Sequence, residues 1–515
     1  MIDIDDDGPL SAALAGFPAP VERRTIADSL LDIAAANAEL FRGEDGQPYA
    51  DVRRDGVRQT MRVLSAHFRD LLRHLYLKQT NKAPNGDALK TAVDTLAAKA
   101  QFEGEVRSVS IRVAFASDKL YLDLGRPCWS AVEIDSDGWR IIQEPPVRFC
   151  RPSGLRALAI PQKAGAIADL KKVLNLADDR SLILLTAWIL AALRPTGPYP
   201  VLVLRGGPGA AKTSAAEFIR WLIDRAEPKT RRLPRDERDL FICADAVHVM
   251  AFDNISHLSD WQSDALCTLA TGGGYATRAL WTDSDERLFT ACRPVILNGV
   301  GNFLTRADLR DRALVIDLAA IPDEKRREKA ELIEAFEQSH PSILGGLLDA
   351  LVIGLSRAPT LHLPRKPRMA DFAKWAVACE PGYAESGAFM AAWESARADG
   401  LPDDLEADPV AGAIVTLMQG HGEPWSGTAT ELLAVINPEF KRRDLPKAGN
   451  ALSGALKLAT PTLARAGLSV TRGTRAGHAG SRIIQIERVT ETGGKSSSAS
   501  SASRELHPRN GLGAD

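Results

Sequence analysis

The chain has 515 residues, of which 45% are hydrophobic and 25% charged, a composition typical of a folded globular protein rather than a fibrous or disordered one. Lys and Arg number 64 against 66 Asp and Glu, so the net charge of −2 excludes a uniformly polycationic protein, and any basic surface must be local. Six cysteines form no CxxC pair and no apolar run reaches eighteen residues; both favour a cytoplasmic protein without structural metal, disulfides or a membrane span.

The N-terminal third predicts two structural regions. Residues 1–20 are acidic and then rich in Ala and Pro, which predicts a loosely ordered start. Residues 21–164 are expected to form an α+β region of unknown function, helical in its first half and a small antiparallel sheet in its second. Asp123 and Asp135 lie in the predicted sheet, but no third carboxylate has a suitable spacing. Turn and surface positions are therefore favoured over a metal pair.

The stretch VLVLRGGPGAAKTSAAEF at 201–218 indicates an apolar strand, a glycine-rich turn and the start of a helix. The turn fits the phosphate-loop pattern except that Ala211 replaces the usual second glycine, and a helical or near-helical backbone is expected to accommodate it. Backbone N–H groups would converge on phosphate oxygens, Lys212 would face the β- and γ-phosphates, and the Thr213 hydroxyl would ligate Mg²⁺. The residues predicted to bind ATP are Gly206, Gly207, Pro208, Gly209, Ala210, Ala211, Lys212, Thr213 and Ser214.

Two further apolar runs end in polar residues that suit such a site. VHVMAFD ends in Asp253, which can orient a Mg²⁺-bound water. ATPases of this kind usually follow that aspartate with a glutamate base, whereas Asn254 cannot accept a proton and can only position water. The base therefore lies elsewhere, or hydrolysis is slow or needs a partner. In RPVILNGV, at 293–300, the apolar run is followed by Asn298, which can hold the lytic water beside the γ-phosphate. The alternative is that Asn298 is only a polar strand end near a turn.

An arginine-rich segment follows, TRADLRDRALVIDL at 305–318, with Arg306, Arg310 and Arg312 ahead of a strand. An arginine at a subunit edge can neutralise transition-state charge at a neighbour's nucleotide. We favour Arg312 for this role, and a solvated basic face is the alternative.

Together, the phosphate turn, VMAFD, TGGGYATRALW and VILNGV resemble, in this order, superfamily 3 helicases and related phage and plasmid replication ATPases of the AAA+ class. The resemblance covers roughly residues 200–320. It implies ATP and Mg²⁺ as cofactors, a ring-shaped homo-oligomer, and single-stranded DNA in the central pore. By the same resemblance Arg278 takes the place of a basic pore residue, Asn298 that of a polar sensor, and Arg312 that of an arginine finger.

The C-terminal part has a local basic excess, with ten Lys and Arg against four Asp and Glu over residues 425–488. Its order of helix, basic loop, helix and hairpin is that of a winged helix, which would bind duplex DNA; a protein–protein module or a solvated face is the alternative. Leu452, Leu456 and Leu463 are expected to face its core. The residues predicted to contact DNA here are Lys457, Arg465, Arg472, Arg475 and Arg482.

The predicted fold class is therefore α/β: a P-loop NTPase (AAA+-like) core at 165–322, a helical lid at 323–401, a winged helix at 402–489 and a disordered Ser-rich tail at 490–515. The predicted function is an oligomeric, ATP-hydrolysing DNA helicase or translocase in replication of a mobile element, with other replication proteins as further partners. The alternative, favoured by Asn254, is a DNA-bound initiator or helicase-loader switch with little hydrolysis.

Overall fold

The computed structural model divides the chain into two compact units, Met1–Arg397 and Ala398–Asp515. The predicted loose N-terminus and the predicted Ser-rich tail lie outside the residues that the structure describes. Those residues are 24–278, 286–421, 423–438, 441–476 and 481–489.

The first unit begins with three helices and a four-stranded sheet of order β3-β2-β1-β4. The prediction that the region up to residue 100 is helical is therefore wrong for residues 38–62. A turn signal explains the difference: Asp55 and Gly56 both have positive φ, 51° and 81°, and join paired strands at Arg54 and Val57. The elements are α1 (Ile26–Asn37), β1 (Ala38–Gly43), β2 (Pro48–Arg54), β3 (Val57–Arg62), α2 (Ala66–Thr80), α3 (Gly86–Phe102) and β4 (Val106–Arg107).

A second sheet, antiparallel and of order β5-β6-β7-β8, confirms the predicted small sheet. Arg112, fully buried just before it, donates from Nε to Asp224 Oδ1 at 3.2 Å and from its other nitrogens to the carbonyls of Asp123, Arg156 and Arg225. These bonds attach the second sheet to the segment that follows the glycine-rich turn and its helix. The strands are β5 (Val113–Ala116), β6 (Lys119–Asp123), β7 (Ala131–Asp135) and β8 (Gly138–Ile142).

The centre of the first unit is a parallel sheet of order β10-β13-β9-β14. Because all four strands run the same way, their carboxyl ends meet at one edge, where ligands bind in open α/β sheets. A separate two-stranded ribbon, β11–β12, is inserted before β13. The elements are α4 (Leu170–Val173), α5 (Asp179–Ala192), β9 (Val201–Arg205), α6 (Lys212–Ile223), α7 (Glu237–Ala244), β10 (Met250–Ile255), α8 (Asp260–Thr271), β11 (Gly273–Arg278), β12 (Glu286–Ala291), β13 (Val295–Gly299), α9 (Ala307–Arg310) and β14 (Ala313–Asp317).

Three helices follow the parallel sheet, α10 (Lys329–Arg357), α11 (Ala370–Cys379) and α12 (Ala388–Asp399), as the helical pattern of this region predicts. By length and composition alone α10 could cross a membrane. However, 56% of its most apolar window is buried by the rest of the protein. That burial is typical of a core helix, and Leu344, Leu347 and Leu348 are fully buried in the main core.

The second unit packs four helices on a three-stranded sheet of order β15-β17-β16. The pairing of β16 with β17 confirms the predicted hairpin, and Leu452, Leu456 and Leu463 are fully buried as predicted. The elements are α13 (Leu401–Ala407), α14 (Pro409–Gly420), β15 (Trp425–Thr428), α15 (Ala429–Ile436), α16 (Gly449–Arg465), β16 (Leu468–Ala476) and β17 (Ser481–Arg488).

Candidate nucleotide site

The glycine-rich turn connects the carboxyl end of β9 to the start of α6. Helix α6 begins at Lys212, and no side chain among the described residues caps its N-terminus. The Lys212 ammonium donates to the carbonyl oxygens of Gly206 at 2.8 Å and Gly207 at 3.0 Å. Thr213 is exposed and Ser214 half-buried on the first helical turn. An uncapped helix N-terminus with a cation beside it is a favourable place for phosphate, because its N–H groups and the helix dipole attract negative charge.

Ala211 has φ 58° and ψ 32°, a left-handed backbone, directly before Lys212. The expectation of a helical or near-helical backbone at this position is therefore wrong. A left-handed conformation costs an L-residue with a Cβ about 1–2 kcal/mol, whereas glycine adopts it freely. The missing second glycine thus introduces backbone strain beside Lys212. In the rest of the turn, Gly209, which follows Pro208, also has positive φ, 79°, while Ala210 is buried.

Strand β10 ends irregularly at the next predicted pair, Asp253 and Asn254. Its register with β13 shifts between Phe252 and Ile255, and Asn254 has φ 61° within the shift. Asp253 is half-buried, Asn254 is exposed, and the main-chain N–H of Asp253 donates to the carbonyl of Arg231 at 2.9 Å. Asparagine tolerates a left-handed backbone far better than glutamate does. The backbone itself therefore favours asparagine over glutamate, the usual base, at this position.

Asn298 lies near the carboxyl end of β13, between β9 and β10, and is only 1% exposed. Its Oδ1 accepts a hydrogen bond from the Asn254 main-chain N–H at 3.2 Å. Its Nδ2 has no partner among the described residues. The close approach of β13 to β10 requires glycine next, since a Cβ on Gly299 would lie 1.9 Å from the Ile255 carbonyl oxygen. A buried donor without an acceptor is unfavourable by about 1–3 kcal/mol, so Asn298 Nδ2 is available to a ligand oxygen or a water.

Strand order places the turn before Lys212, Asn298 and Asp253 on consecutive strands, with their carboxyl ends at one edge of the sheet. Sequence analysis did not identify Arg326 as a further cation near this turn. A Cβ built on Gly209 would lie 3.2 Å from Arg326 Nη2, and Arg326 pairs with Asp323 at 2.9 Å. No local motif marks Arg326, because only the return of the chain after β14 brings it there.

The predicted arginine finger, Arg312, is engaged within its own chain. It forms an ion pair with Asp308 and donates from Nη1 to the Asp308 carbonyl at 3.1 Å, and its side chain is 21% exposed. Burial by itself lowers the pKa of Arg312, but the hydrogen bond to Asp308 and the charge of Asp308 outweigh it, so that the pKa of Arg312 is raised. Asp308 also pairs with Arg368, while Arg306 pairs with Asp264 at 2.8 Å. Arg310 is half-buried.

The predicted pore segment forms the antiparallel ribbon β11–β12, in which Arg278 is the register partner of Glu286. Gly272, with φ 82°, ends α8 and turns the chain into this ribbon. The side chain of Arg278 and residues 279–285 lie outside the described part of the structure. Contact of Arg278 with DNA therefore stays a prediction.

Basic residues of the second unit are distributed over α16 and the β16–β17 hairpin. Lys457 is exposed on α16, and Arg465 is half-buried at its last residue. Arg472 donates to the Ser453 carbonyl on α16 at 3.2 Å. Arg475 and Arg482 are cross-strand partners in the hairpin, and their side chains lie outside the described part. Like charges at paired positions are unfavourable unless an anion lies between them.

The acidic residues of the second sheet take structural roles, but the expectation of a surface position is wrong for Asp123. Asp123 is fully buried and accepts from Arg151 Nε at 2.8 Å and from the Gly125 N–H at 2.9 Å. Asp135 accepts from a turn N–H and pairs with Lys119 at 3.2 Å. Within the described ranges, no group of three or more metal-ligating side chains occurs.

Comparison with known proteins adds two family matches. Residues 167–404 match the model of the actinomycete integrative conjugative element replication protein, and residues 410–502 match the model of the RepA C-terminal domain from the same elements. No curated protein matches.

Among solved structures, the apo C-terminal region of NrS-1 is similar with a TM-score of 0.39 and 12% identity, over 88% of this chain and 98% of that chain. SCCmec type IV Cch, described as an active helicase, is similar with a TM-score of 0.44 and 11% identity, over 87% of this chain and 93% of that chain. Likenesses this distant carry no functional conclusion.

Proposed function

Because residues 167–404 and 410–502 match models of replication proteins from integrative conjugative elements, we propose that this chain is an ATP-hydrolysing DNA translocase or helicase. Its core is an AAA+-like P-loop NTPase, followed by a helical lid and a winged helix. One observation carries the proposal. Three neighbouring strands of the parallel sheet, β10, β13 and β9, bring Asp253, Asn298 and the turn before Lys212 to the same edge. At this edge the buried Nδ2 of Asn298 has no acceptor among the described residues.

Each of these residues has a distinct role when ATP and Mg²⁺ bind. Lys212 exchanges the carbonyls of Gly206 and Gly207 for the β- and γ-phosphates, which add stronger, charge-assisted bonds. Thr213 and Asp253 hold Mg²⁺, which neutralises charge on the phosphates. Asn298 Nδ2 donates to the lytic water or to a γ-phosphate oxygen.

Arg312 completes the site of a neighbouring subunit in a homo-oligomeric ring. Its pairing with Asp308 keeps it on its own subunit, so assembly must replace Asp308 by the neighbour's phosphate. Arginine fingers accelerate hydrolysis by about 10³-fold or more. Mixing Lys212→Ala with Arg312→Ala protein tests this sharing: mixed rings contain intact composite sites and regain activity that neither variant has alone. No recovery on mixing would contradict an Arg312 that acts in trans.

DNA contact is assigned to two surfaces. Arg278 tracks a single strand from the β11–β12 ribbon, and Lys457, Arg465 and Arg472 with the opposed pair Arg475 and Arg482 contact duplex phosphates. Counterion release then makes duplex affinity fall steeply with salt, with a slope near −0.9 per phosphate contact.

A second candidate function is an ATP-dependent assembly switch that binds DNA without sustained turnover. The left-handed backbone at Asn254 favours it, because this geometry disfavours glutamate, the base that ATPases of this kind usually have here.

The deciding experiment is ATP binding and hydrolysis by the full chain, with and without single-stranded DNA. Lys212→Ala is the test variant and Lys78→Ala, an exposed lysine in the last turn of α2, is the matched control. DNA-stimulated turnover that is lost only in Lys212→Ala supports the motor. Lys212-dependent binding without turnover on any DNA supports the switch, and no Lys212-dependent binding overturns both.

A further inference from the structure

A cavity of about 140 Å³ lies in the first unit, between the β2–β3 hairpin and two loops of the second sheet. Arg53 and Arg58 of the hairpin line one side, Trp129 between β6 and β7 lines another, and the segment 143–149 after β8 completes it. An engineered apolar cavity of about 150 Å³ binds benzene, so this volume accommodates one six-membered ring. Both family matches begin beyond these residues.

The walls of the cavity are largely aromatic and proline surface. Residues 145–147, Pro-Pro-Val, form one wall, and Phe149, only 3% exposed, adds aromatic surface. Trp129 is half-buried, and the Arg151 guanidinium lies 3.8 Å from its ring centroid, so that one face of the indole is already covered. Trp129 also has φ 55°, a left-handed backbone that bulky residues rarely adopt and that is concentrated at binding and catalytic sites.

The charged side chains that line the cavity leave a positive excess, with Arg53 and Arg58 against Glu144. Arg53 and Glu144 lie 3.6 Å apart, but their side chains are 69% and 65% exposed, so the pair contributes little. Arg58 forms no ion pair with a described residue. The buried carboxylate of Asp51 does not compensate Arg58, because it already accepts from Arg148 Nε at 2.7 Å.

The cavity also has donor groups without acceptors. Arg58 donates from Nη2 to the carbonyl oxygens of Pro145 and Val147, whereas its Nε and Nη1 bond to no described residue. The indole N–H of Trp129 has no acceptor among the described residues either. None of these three groups is among the atoms buried without a partner, so they remain open to solvent and can be reached by a ligand.

We propose that this cavity binds one base of a single-stranded nucleic acid, a pyrimidine by its size, with Trp129 as the stacking surface and Arg58 and Arg53 as donors to the adjoining phosphates. A strand offers a flat ring to the apolar walls and negative charge to the guanidinium groups, the combination by which single strands are bound. Arg54, exposed beside Arg53, extends the positive surface along the hairpin. A duplex keeps its bases stacked inside and presents none to such a cavity.

This contact is additional to the two DNA surfaces of the proposed function, and it does not require ATP. Failure of ATP hydrolysis would leave it intact, and its own failure would leave the ATP site intact. The two claims are therefore tested separately.

The test measures binding to the full chain, without nucleotide, of two fluorescein-labelled strands of about 12 nucleotides, a length within common single-strand site sizes. One is oligodeoxythymidylate and the other an abasic strand with the same phosphates. Trp129→Leu should weaken binding of oligodeoxythymidylate by about tenfold and leave that of the abasic strand unchanged, because stacking needs a base. Trp129→Phe keeps an aromatic ring and should retain most of the affinity. Fluorescence anisotropy at constant salt gives each Kd.

A second pair of variants tests the charge. Arg58→Gln should weaken binding of both strands several-fold more than Arg69→Gln, which removes the same charge from an exposed position on α2. Equal effects of the two substitutions would remove Arg58 from the site. The ribonucleotide counterpart of oligodeoxythymidylate identifies the strand as RNA if it binds more tightly and as DNA if it does not.

Photo-cross-linking of the unaltered chain covers the case in which Trp129→Leu does not fold. An oligonucleotide that carries 5-iodouracil couples on irradiation to an aromatic side chain stacked on it, and mass spectrometry should locate the cross-link at Trp129. A cross-link confined to other parts of the chain overturns the proposal. So does a Trp129→Leu variant that binds oligodeoxythymidylate as tightly as the parent, or that weakens binding of the abasic strand by the same factor.

Discussion

Two aspartates at strand ends of the first unit, Asp123 and Asp253, have opposite surroundings. Asp123, at the end of β6, is fully buried, and its oxygens accept from Arg151 and from a turn N–H. Asp253, near the end of β10, is half-buried; its main chain is bonded to Arg231, and its carboxylate has no hydrogen bond or ion pair with another described residue. The carboxylate of Asp123 is hydrogen-bonded within the protein, whereas the carboxylate of Asp253 remains able to accept hydrogen bonds from, or to coordinate, a ligand.

The same contrast extends to the neighbours of each aspartate. Arg151 beside Asp123 also lies over the ring of Trp129, 3.8 Å from its centroid, so it is fixed on two sides. At the other site, Lys212 bonds only to carbonyls that phosphate would replace, and Asn298 Nδ2 is unmet. Charge alone therefore does not distinguish the two aspartates; the proposed nucleotide site is the place where hydrogen-bonding groups at the sheet edge lack partners within the described protein.

The sharpest way to break this comparison is to neutralise both aspartates by isosteric substitutions. Asp253→Asn should lower ATP hydrolysis by about 100-fold or more, with little change in thermal unfolding, because it removes charge only from the proposed Mg²⁺ position. Asp123→Asn should lower the free energy of unfolding by about 3 kcal/mol, because it removes the buried negative charge that pairs with Arg151, while the activity of the folded fraction stays unchanged. Steady-state hydrolysis and urea unfolding of the two variants measure both quantities, and an exchange of the two phenotypes would refute the comparison.

Removing the unmet donor at the sheet edge should have the next largest effect. Asn298→Ala should reduce kcat by about 100-fold and leave ATP affinity nearly unchanged, because the amide acts on the water or on a phosphate oxygen rather than on the whole nucleotide. Asn298→Asp keeps the acceptor for the Asn254 N–H but has no donor, so it should be equally impaired. A kcat of Asn298→Asp close to that of the parent would show that only the bond to Asn254 matters.

His340 on α10 provides a second comparison. Both its ring nitrogens lack partners in the described structure, but it is buried, with its ring tilted against that of Phe336, 5.0 Å between centroids. Burial lowers its pKa to about 3. The unfolded chain therefore binds a proton that the folded chain does not. The stability contributed by neutral His340 is complete above about pH 6.5 and falls by about 1.4 kcal/mol per pH unit as the pH drops towards 3. In His340→Leu, unfolding at pH 4.5 to 7 should depend less on pH, whereas exposed His362→Leu should behave as the parent.

The smallest expected effect concerns strain in the turn. Ala211→Gly should raise the free energy of unfolding by about 0.5–1 kcal/mol, because relief of the left-handed Cβ clash exceeds the extra flexibility of glycine in the unfolded chain. The neighbouring Ala210→Gly has no positive φ to relieve and should lower it instead. Differential scanning calorimetry resolves both changes, and stabilisation of both variants alike would contradict strain at Ala211.

Local patterns predict much of this fold. The strand–turn–helix order around Lys212, the antiparallel second sheet and the C-terminal hairpin follow from apolar runs, alternation and turn residues, all of which act over a few positions. The strands at 38–62 were missed because Ala-rich helical spacing continues into β1, while the informative signal was the Asp55-Gly56 turn.

What local patterns did not predict depends on distant parts of the chain. The left-handed backbone of Ala211 and Asn254, the Asp308–Arg312 pair and the placement of Arg326 near Gly209 arise when separate segments pack together. The unmet donor of Asn298 belongs with these, since it is apparent only when every neighbour is known.

The bulge at Asn254 also limits how this protein can vary over evolutionary time. Glycine or aspartate can replace Asn254 within the same backbone, whereas glutamate requires the register shift between Phe252 and Ile255 to be removed first. A direct mutational path from asparagine to glutamate therefore passes through a strained intermediate. Proteins related to this chain should consequently acquire a glutamate at this position only together with a regular β10–β13 pairing, so that the residue and the pairing change together.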